Sequence, residues 1–405
     1  MTTTPSTDTS PSVVDYPFPW TPPMAIPDGW KTLREQAVQP IRLPSGDPAV
    51  LVTRYHDVKA LYSDHRLSRN TGRHPTSRIS PNNVIFDDPE VDSDPPRYLA
   101  ERRLVAKAFS ARRMESLRPF VWEVARELMT AMQEGPQPAD LMESFAFPLP
   151  IRVICKLLGV PAEDQAKFRR MVDGFLSVTS LPADEVERCR TGLWSYLGEL
   201  VEAKRATPTD DLTSELVQIS DADPERLSDH QMVHWLQSLL IAGYVTTATQ
   251  IGCSLAYLLH RSEVTDQIRN DYSLVPSAVE ELLRYQIMGA SLGSLRYCLE
   301  DIELSDGSIV PKGATVLLSV EANLDEQQFK CPMDLDIRRN PNYHLSFGSG
   351  IHYCAGAPLA RMELQVATEG LLRKFPQLKL DLPGEQLQRD VGSFLGGFSE
   401  IPVRW

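Results

Sequence analysis

From Met114 to Leu282 the apolar positions return at three- and four-residue steps, block after block, as in MESLRPFVWEVARELMTAM, FPLPIRVICKLLGV, DQAKFRRMVDGFL and VERCRTGLWSYLGELVEAK. That spacing puts one apolar stripe on each helix, so the region is expected to be helical. The Pro- and Gly-bearing segments EGPQPAD and SLPADE divide it into separate helices. Trp235 to Leu259 is apolar most of the way round, the pattern of a helix buried inside a large protein. Its Gln237, Ser238, Gly243, Thr246, Thr247, Thr249 and Gln250 argue against a membrane span, which takes roughly 20 apolar residues. Strand alternation is brief. PAVLVTR near residue 50 is one run, IELSDGSIVPKGATVLLSV predicts a hairpin around Asp306-Gly307, and the chain from Leu378 on leans to β structure. There is no internal repeat and no long linker. The pattern therefore predicts a mainly α fold with small β regions, one domain over residues 15–405, behind a polar, disordered tail over residues 1–14.

Composition narrows the function. A chain of 405 residues would allow two or three domains at about 150 residues each, a division the pattern does not support. With 42% hydrophobic and 23% charged residues, disordered and collagen-like chains are excluded. Lys+Arg 41 against Asp+Glu 54 leaves a net charge of −13, so nucleic-acid backbone is a poor partner. The N-terminus lacks a basic segment followed by an apolar one, so no signal peptide is expected. The six cysteines, Cys155, Cys189, Cys253, Cys298, Cys331 and Cys354, are scattered without a CxxC pair. That argues against a disulfide framework or a zinc site and fits a reducing cytoplasm.

The segment Phe347-Gly348-Ser349-Gly350-Ile351-His352-Tyr353-Cys354-Ala355-Gly356 carries the chemistry. Its glycines permit a tight turn, and APLARMELQVATEGLLRKF behind it is a strong helix pattern. Cys354 then sits at a helix entrance, where free N–H groups stabilise a thiolate. Gly356 leaves space for a flat ligand against the backbone. A thiolate so placed is an axial ligand for haem iron. For a cysteine on its own, a buried inert thiol before a helix would be the better reading, and the surrounding pattern reverses that balance.

These residues resemble the cytochrome P-450 haem-thiolate monooxygenases of the soluble bacterial type. Three further segments carry the resemblance: Glu281 to Arg284 in PSAVEELLRY, Ala242-Gly243-Tyr244-Val245-Thr246-Thr247, and Asp94-Pro95-Pro96 followed by Arg102 to Phe109. It implies a single-domain P-450 fold, haem b, and oxidation with dioxygen and two external electrons, the EC 1.14 type of reaction. It also implies ferredoxin and ferredoxin reductase as electron donors, with no membrane and no nucleic acid. By position it implies Cys354 as iron ligand, with Phe347, Gly348 and Gly356 around the haem. Arg102, Arg296 and His352 fall at the propionates, Glu281 and Arg284 form a structural pair, and Ala242, Gly243 and Thr246 lie at the oxygen side. Two residues depart from the family pattern. The acid expected before the oxygen-side threonine is Val245, and the histidine of the haem-contacting helix is Tyr98. With Val245 unable to carry a proton, delivery rests on Thr246 and water, or on another residue. Asp334 stands where many members have an arginine joining the Glu281–Arg284 pair, with Arg338 or Arg339 as substitutes.

Segments facing the open side of the haem would supply a substrate pocket. They offer Asn83, Val84, Ile85 and Phe86; Phe175; Tyr244; Met288, Gly289, Ala290, Ser291 and Leu292; and Phe394 with Leu395. This set is apolar and uncharged, which suits a small neutral natural-product intermediate. VEELLRYQIMGASLGSLR, EANLDEQQF and the ending IPVRW are similar to ring-coupling, cyclodipeptide-oxidising members of the family. A Trp- or Tyr-containing cyclodipeptide (a diketopiperazine) joined by radical coupling is therefore the expected substrate and reaction. Hydroxylation of a secondary metabolite is the alternative, and a non-catalytic haem-binding sensor or recruitment module is the reading from another class. Residues 97–118 hold Arg97, Arg102, Arg103, Lys107, Arg112, Arg113 and Arg118 against Glu101 and Glu115, 7 − 2 = +5. An acidic ferredoxin would be steered to such a face, if it is more than a solvated helix surface.

Overall fold

The structure is a computed structural model that describes residues 13–18, 21–27, 29–79, 91–175, 181–223, 227–285, 294–390 and 396–405. Its helices are α1 (Gly29–Arg34), α2 (Tyr55–Leu61), α3 (Arg97–Ala108), α4 (Ala111–Ser116), α5 (Arg118–Glu134), α6 (Pro148–Leu158), α7 (Gln165–Phe175), α8 (Ala183–Ala206), α9 (Leu212–Asp221), α10 (Asp229–His260), α11 (Ser262–Asn270), α12 (Val275–Tyr285) and α13 (Ala357–Lys374). The strands are β1 (Val14–Asp15), β2 (Val38–Arg42), β3 (Pro48–Val52), β4 (Leu67–Ser68), β5 (Ala139–Asp140), β6 (Leu295–Cys298), β7 (Ile302–Glu303), β8 (Ile309–Val310), β9 (Thr315–Leu318), β10 (Lys379–Leu380) and β11 (Pro402–Arg404). Six of them form one sheet in the order β1-β2-β3-β9-β6-β4, with β10-β11-β5 and β7-β8 as small separate sheets.

The expected helices form where the periodicity places them, and local signals set their ends. Pro119 breaks the block that begins at Met114 into α4 and α5. α6 stops at Gly159, whose φ of 74° is the left-handed cap an L-residue resists. α10 starts at a capping box in which Ser228 and Gln231 bond each other's backbone N–H groups. It is the one described helix long and apolar enough to cross a membrane, yet it is wrapped by α6, α8 and α13 in the main core. The close crossing with α6 explains Gly243, because a Cβ there would come within 2.9 Å of Ile154 Cδ1.

The β expectations need adjustment. The hairpin around Gly307 is only β7 with β8. The ATVLLSV half of that segment is β9, which leaves the hairpin to lie parallel to β3 and antiparallel to β6. Four consecutive buried residues along β9 explain this: such a strand needs cover on both faces, which a two-stranded ribbon does not give. At the N-terminus Val14 pairs with Ile41 in parallel, so strand structure includes the last residue of the expected tail, while residues 1–12 lie outside the description.

Candidate functional site

Phe347 to Gly356 folds into a closed loop. The Cys354 N–H donates to the Phe347 carbonyl at 2.9 Å, and Gly348 and Gly350 take φ of 68° and 65°. A side chain at Gly350 would press on the Tyr62 carbonyl at 3.1 Å and on Ser63. Gly356 is the N-cap of α13, and Pro358 is in the first turn, where its missing N–H costs nothing. Burial pushes the Cys354 thiol above its usual range, while the N–H groups of Gly356 and Ala357 and the Arg102 and Arg361 cations work the other way. Those groups are in place to hold a thiolate once a metal takes the proton's position. A Cβ on Gly356 would touch only Cys354 Sγ, at 3.8 Å. The protein's own packing therefore leaves the space beside the sulfur that a flat macrocycle needs. Phe347 is partly buried, with the Arg361 guanidinium 4.5 Å above its ring. Arg361 also forks onto Glu280 at 2.7 and 2.9 Å, tying α13 to α12.

Beneath this loop Glu281 and Arg284, both fully buried, pair through two 2.8 Å bonds. Arg284 also donates to the carbonyls of Asn323 and Pro332 at 3.0 and 2.9 Å. Glu281 accepts from the Asp336 N–H, from Asn342 Nδ2 and from Arg339 Nε, the last at 3.0 Å. Of the two substitutes for the missing third member, the structure places Arg339 here. Asp334 contributes only its backbone carbonyl, to Arg284 and to Arg339.

A second cluster lies on the other side of the loop. Arg296, in β6, is 4% exposed, and its hydrogen bond goes to the Leu295 carbonyl rather than to a carboxylate. Burial and the nearby Arg69 lower it to about 10. Arg69 Nη1 lies 3.5 Å from His352 Nδ1, and since an arginine can only donate, His352 accepts there as a neutral ring. Burial, then Arg69, Arg296 and Arg102, push His352 down to about 2. Arg296 is a buried guanidinium beside a second cation, and the nearby Asp94 carboxylate is taken up by the Arg69 N–H and Ser68 rather than by either guanidinium, so the cluster calls for a further anion. Haem propionates meet that need, so the residues present fit haem.

Two parts of this cluster escaped the sequence reading. Tyr62 caps the end of α2 and Arg69 follows the two-residue β4, neither within a motif, and only Asp94-Pro95-Pro96 hinted at the region: the Asp94 carboxylate accepts from the Arg69 N–H at 2.8 Å and from Ser68. Arg102 is the remaining residue expected at the propionates. Its guanidinium donates to the Tyr98 hydroxyl at 2.8 Å and to the Tyr353 carbonyl, so it braces the loop. Tyr98, at the family's histidine position, packs its ring 4.4 Å from that of His352.

Of the α10 residues expected at the oxygen side, Ala242 is exposed and Gly243 and Thr246 are partly exposed, and Thr246 Oγ1 donates back to the Ala242 carbonyl. Tyr244 corrects an expectation. At about 100° per residue it points away from that side, fully buried with its ring 6.1 Å from Phe147 and close to Asp173 and Arg169. Burial raises its phenol far above the usual value. Phe175, at the end of α7, is buried in the main core. The other expected pocket residues, Asn83, Val84, Ile85, Phe86, Met288, Gly289, Ala290, Ser291, Leu292, Phe394 and Leu395, lie outside the described residues. Within the basic stretch over residues 97–118 Arg97 pairs with Glu101 and Arg118 with Glu115, both already counted in the +5, and from outside it Glu215 and Asp210 pair with Arg113.

The family model described as Cytochrome P450 matches residues 43–389. The mycinamicin IV hydroxylase/epoxidase of Micromonospora griseorubida is 42% identical over 96% of this chain and 98% of its own. The nocardicin C N-oxygenase of Nocardia uniformis subsp. tsuyamanensis is 41% identical over the same shares, 96% and 98%. Among solved structures, the putative thioether synthase SgvP, involved in the tailoring step of griseoviridin, superposes with a TM-score of 0.90 at 41% identity, covering 97% of this chain and 100% of that one.

Proposed function

The chain belongs to the cytochrome P450 family, and on that premise we propose that it inserts one oxygen atom from dioxygen into a secondary metabolite. The enzyme is an oxidoreductase of the EC 1.14 type and its cofactor is haem b. The observation that carries the proposal is the pairing of a cradled Cys354 with the buried Arg296, whose guanidinium has no carboxylate hydrogen-bonded to it, and with Arg69 beside neutral His352. Bound haem would supply dioxygen activation, with the second oxygen atom leaving as water.

The protein's own groups do the rest. Gly356 and Ala357 N–H groups hold the Cys354 sulfur, and Arg296, Arg69 and His352 receive the propionates. Thr246 Oγ1 holds a proton on the open side of α10, next to Val245, which has none to give. Oxygen insertion takes precedence over the ring coupling expected from VEELLRYQIMGASLGSLR. The two relatives named above are a hydroxylase/epoxidase and an N-oxygenase, and neither name mentions a cyclodipeptide. Electrons would come from a ferredoxin and its reductase in the cytoplasm, with docking near α3 and α4. Turnover of a macrolide and cyclodipeptide panel under labelled dioxygen tests the reaction. A product carrying one labelled oxygen is the expected result. A product that has lost two hydrogens and carries no label would instead establish coupling.

A further inference from the structure

Trp235, in α10, is held by a buried carboxylate: its Nε1 donates to Glu101 Oε2 at 3.0 Å, and Glu101 is 5% exposed. The other oxygen of Glu101 accepts from Gln231 Nε2 and from Arg97 Nε. The Trp235 ring lies 6.0 Å from the ring of Tyr98, nearly parallel at 22°. Tyr98 also packs 4.4 Å from the ring of His352, two residues before Cys354. An unbroken file of rings thus runs from the haem site to an indole whose N–H already faces a carboxylate. Packing alone would be served by any apolar pair.

We propose that Trp235 and Tyr98 form a redox relay that drains an oxidising equivalent from the haem when it is not used on substrate. The relay rests on the haem-thiolate reading. With a peroxide or peracid as oxidant, one electron leaves the indole for the oxidised haem through Tyr98. The Nε1 proton passes to Glu101 Oε2. The haem is reduced by one equivalent and Trp235 becomes a neutral indolyl radical. Tyr98 is the intermediate stop because its hydroxyl already accepts from Arg102 and, among the described residues, has no acceptor for its own proton. Trp235 is the terminus because Glu101 is such an acceptor.

The test uses haem-loaded protein mixed with peracid and frozen for electron paramagnetic resonance, in parallel with haem bleaching by hydrogen peroxide. Wild type grown on ring-deuterated tryptophan should show a narrowed radical signal. Trp235→Phe, which keeps an aromatic ring beside Tyr98 and leaves the other five of the six tryptophans in place, should lose that component and bleach several-fold faster. Glu101→Gln should lower the radical yield, and an unchanged yield of neutral radical would overturn Glu101 as proton acceptor. A wild-type signal insensitive to tryptophan labelling, or one unchanged in Trp235→Phe, would overturn the relay. Both results are read on protein that shows the thiolate-type carbon monoxide band. Absence of that band in wild type would instead fail the haem-thiolate reading.

Discussion

Replacing Glu281 by alanine should cost this protein a large part of its stability. Glu281 offsets Arg284, fully buried, and Arg339, nearly so, and it also satisfies the Asp336 N–H and Asn342. Its removal leaves two guanidiniums without a counter-charge. Breaking a buried pair costs about 3–5 kcal/mol, and each buried donor left unsatisfied adds about 1–3 kcal/mol. Whole domains have only about 5–15 kcal/mol to lose. A series separates charge from shape. Glu281→Gln keeps an acceptor oxygen without the charge and should fall between alanine and wild type. Arg339→Ala leaves the Glu281–Arg284 pair one-to-one and should cost about 2 kcal/mol, the value of a hydrogen bond to a charged group. Urea midpoints at constant slope give the differences. They should be measured on haem-free as well as loaded protein, because bound haem stabilises by mass action. A Glu281→Ala protein within about 1 kcal/mol of wild type and fully loaded with haem would refute the reasoning.

Cys354→His should abolish the red-shifted Soret band of the reduced carbon monoxide complex, and its persistence would exclude Cys354 as iron ligand. Gly350→Ala places a side chain at φ 65° against Tyr62 and Ser63. Left-handed backbone alone costs about 1–2 kcal/mol, so the melting temperature should drop and haem should be retained poorly. Thr246→Ala should divert reducing equivalents to peroxide, and unchanged product per NADH would show that the proton arrives by another route. Burial works to raise Glu280, yet hydrogen bonds from His344 and Arg361 hold it at about 2, below its unfolded value of 4.5. Its stabilisation is therefore complete above pH ~4.5 and is lost as the pH falls toward about 2. Glu280→Gln should be less stable than wild type at pH ~7 by up to about 3 kcal/mol, with the gap closing over that acid window. A gap independent of pH would refute the assignment.

What the sequence determined by itself was local. The three- and four-residue apolar steps marked α5 to α8, α10, α12 and α13, because a helix writes its buried stripe into neighbouring positions. The glycine-flanked Cys354 and the Glu281–Arg284 spacing were legible for the same reason: loop, helix entrance and pair each lie within one short stretch of chain. Tertiary structure decided whatever depends on residues far apart in sequence. It brought Arg69 to His352 across 283 positions and Arg339 to Glu281 across 58, and it carried β9 out of its hairpin to lie between β3 and β6. It also turned Tyr244 away from the open side of α10, since the neighbours on each face of a helix with little polar contrast are set by α6 and α7 rather than by the helix itself. The cation cluster around the buried Arg296 leaves no periodic trace along the chain. Its charges are assembled only when the sheet and helices close around them, and the low-dielectric site so formed is what makes their shared demand for an anion large.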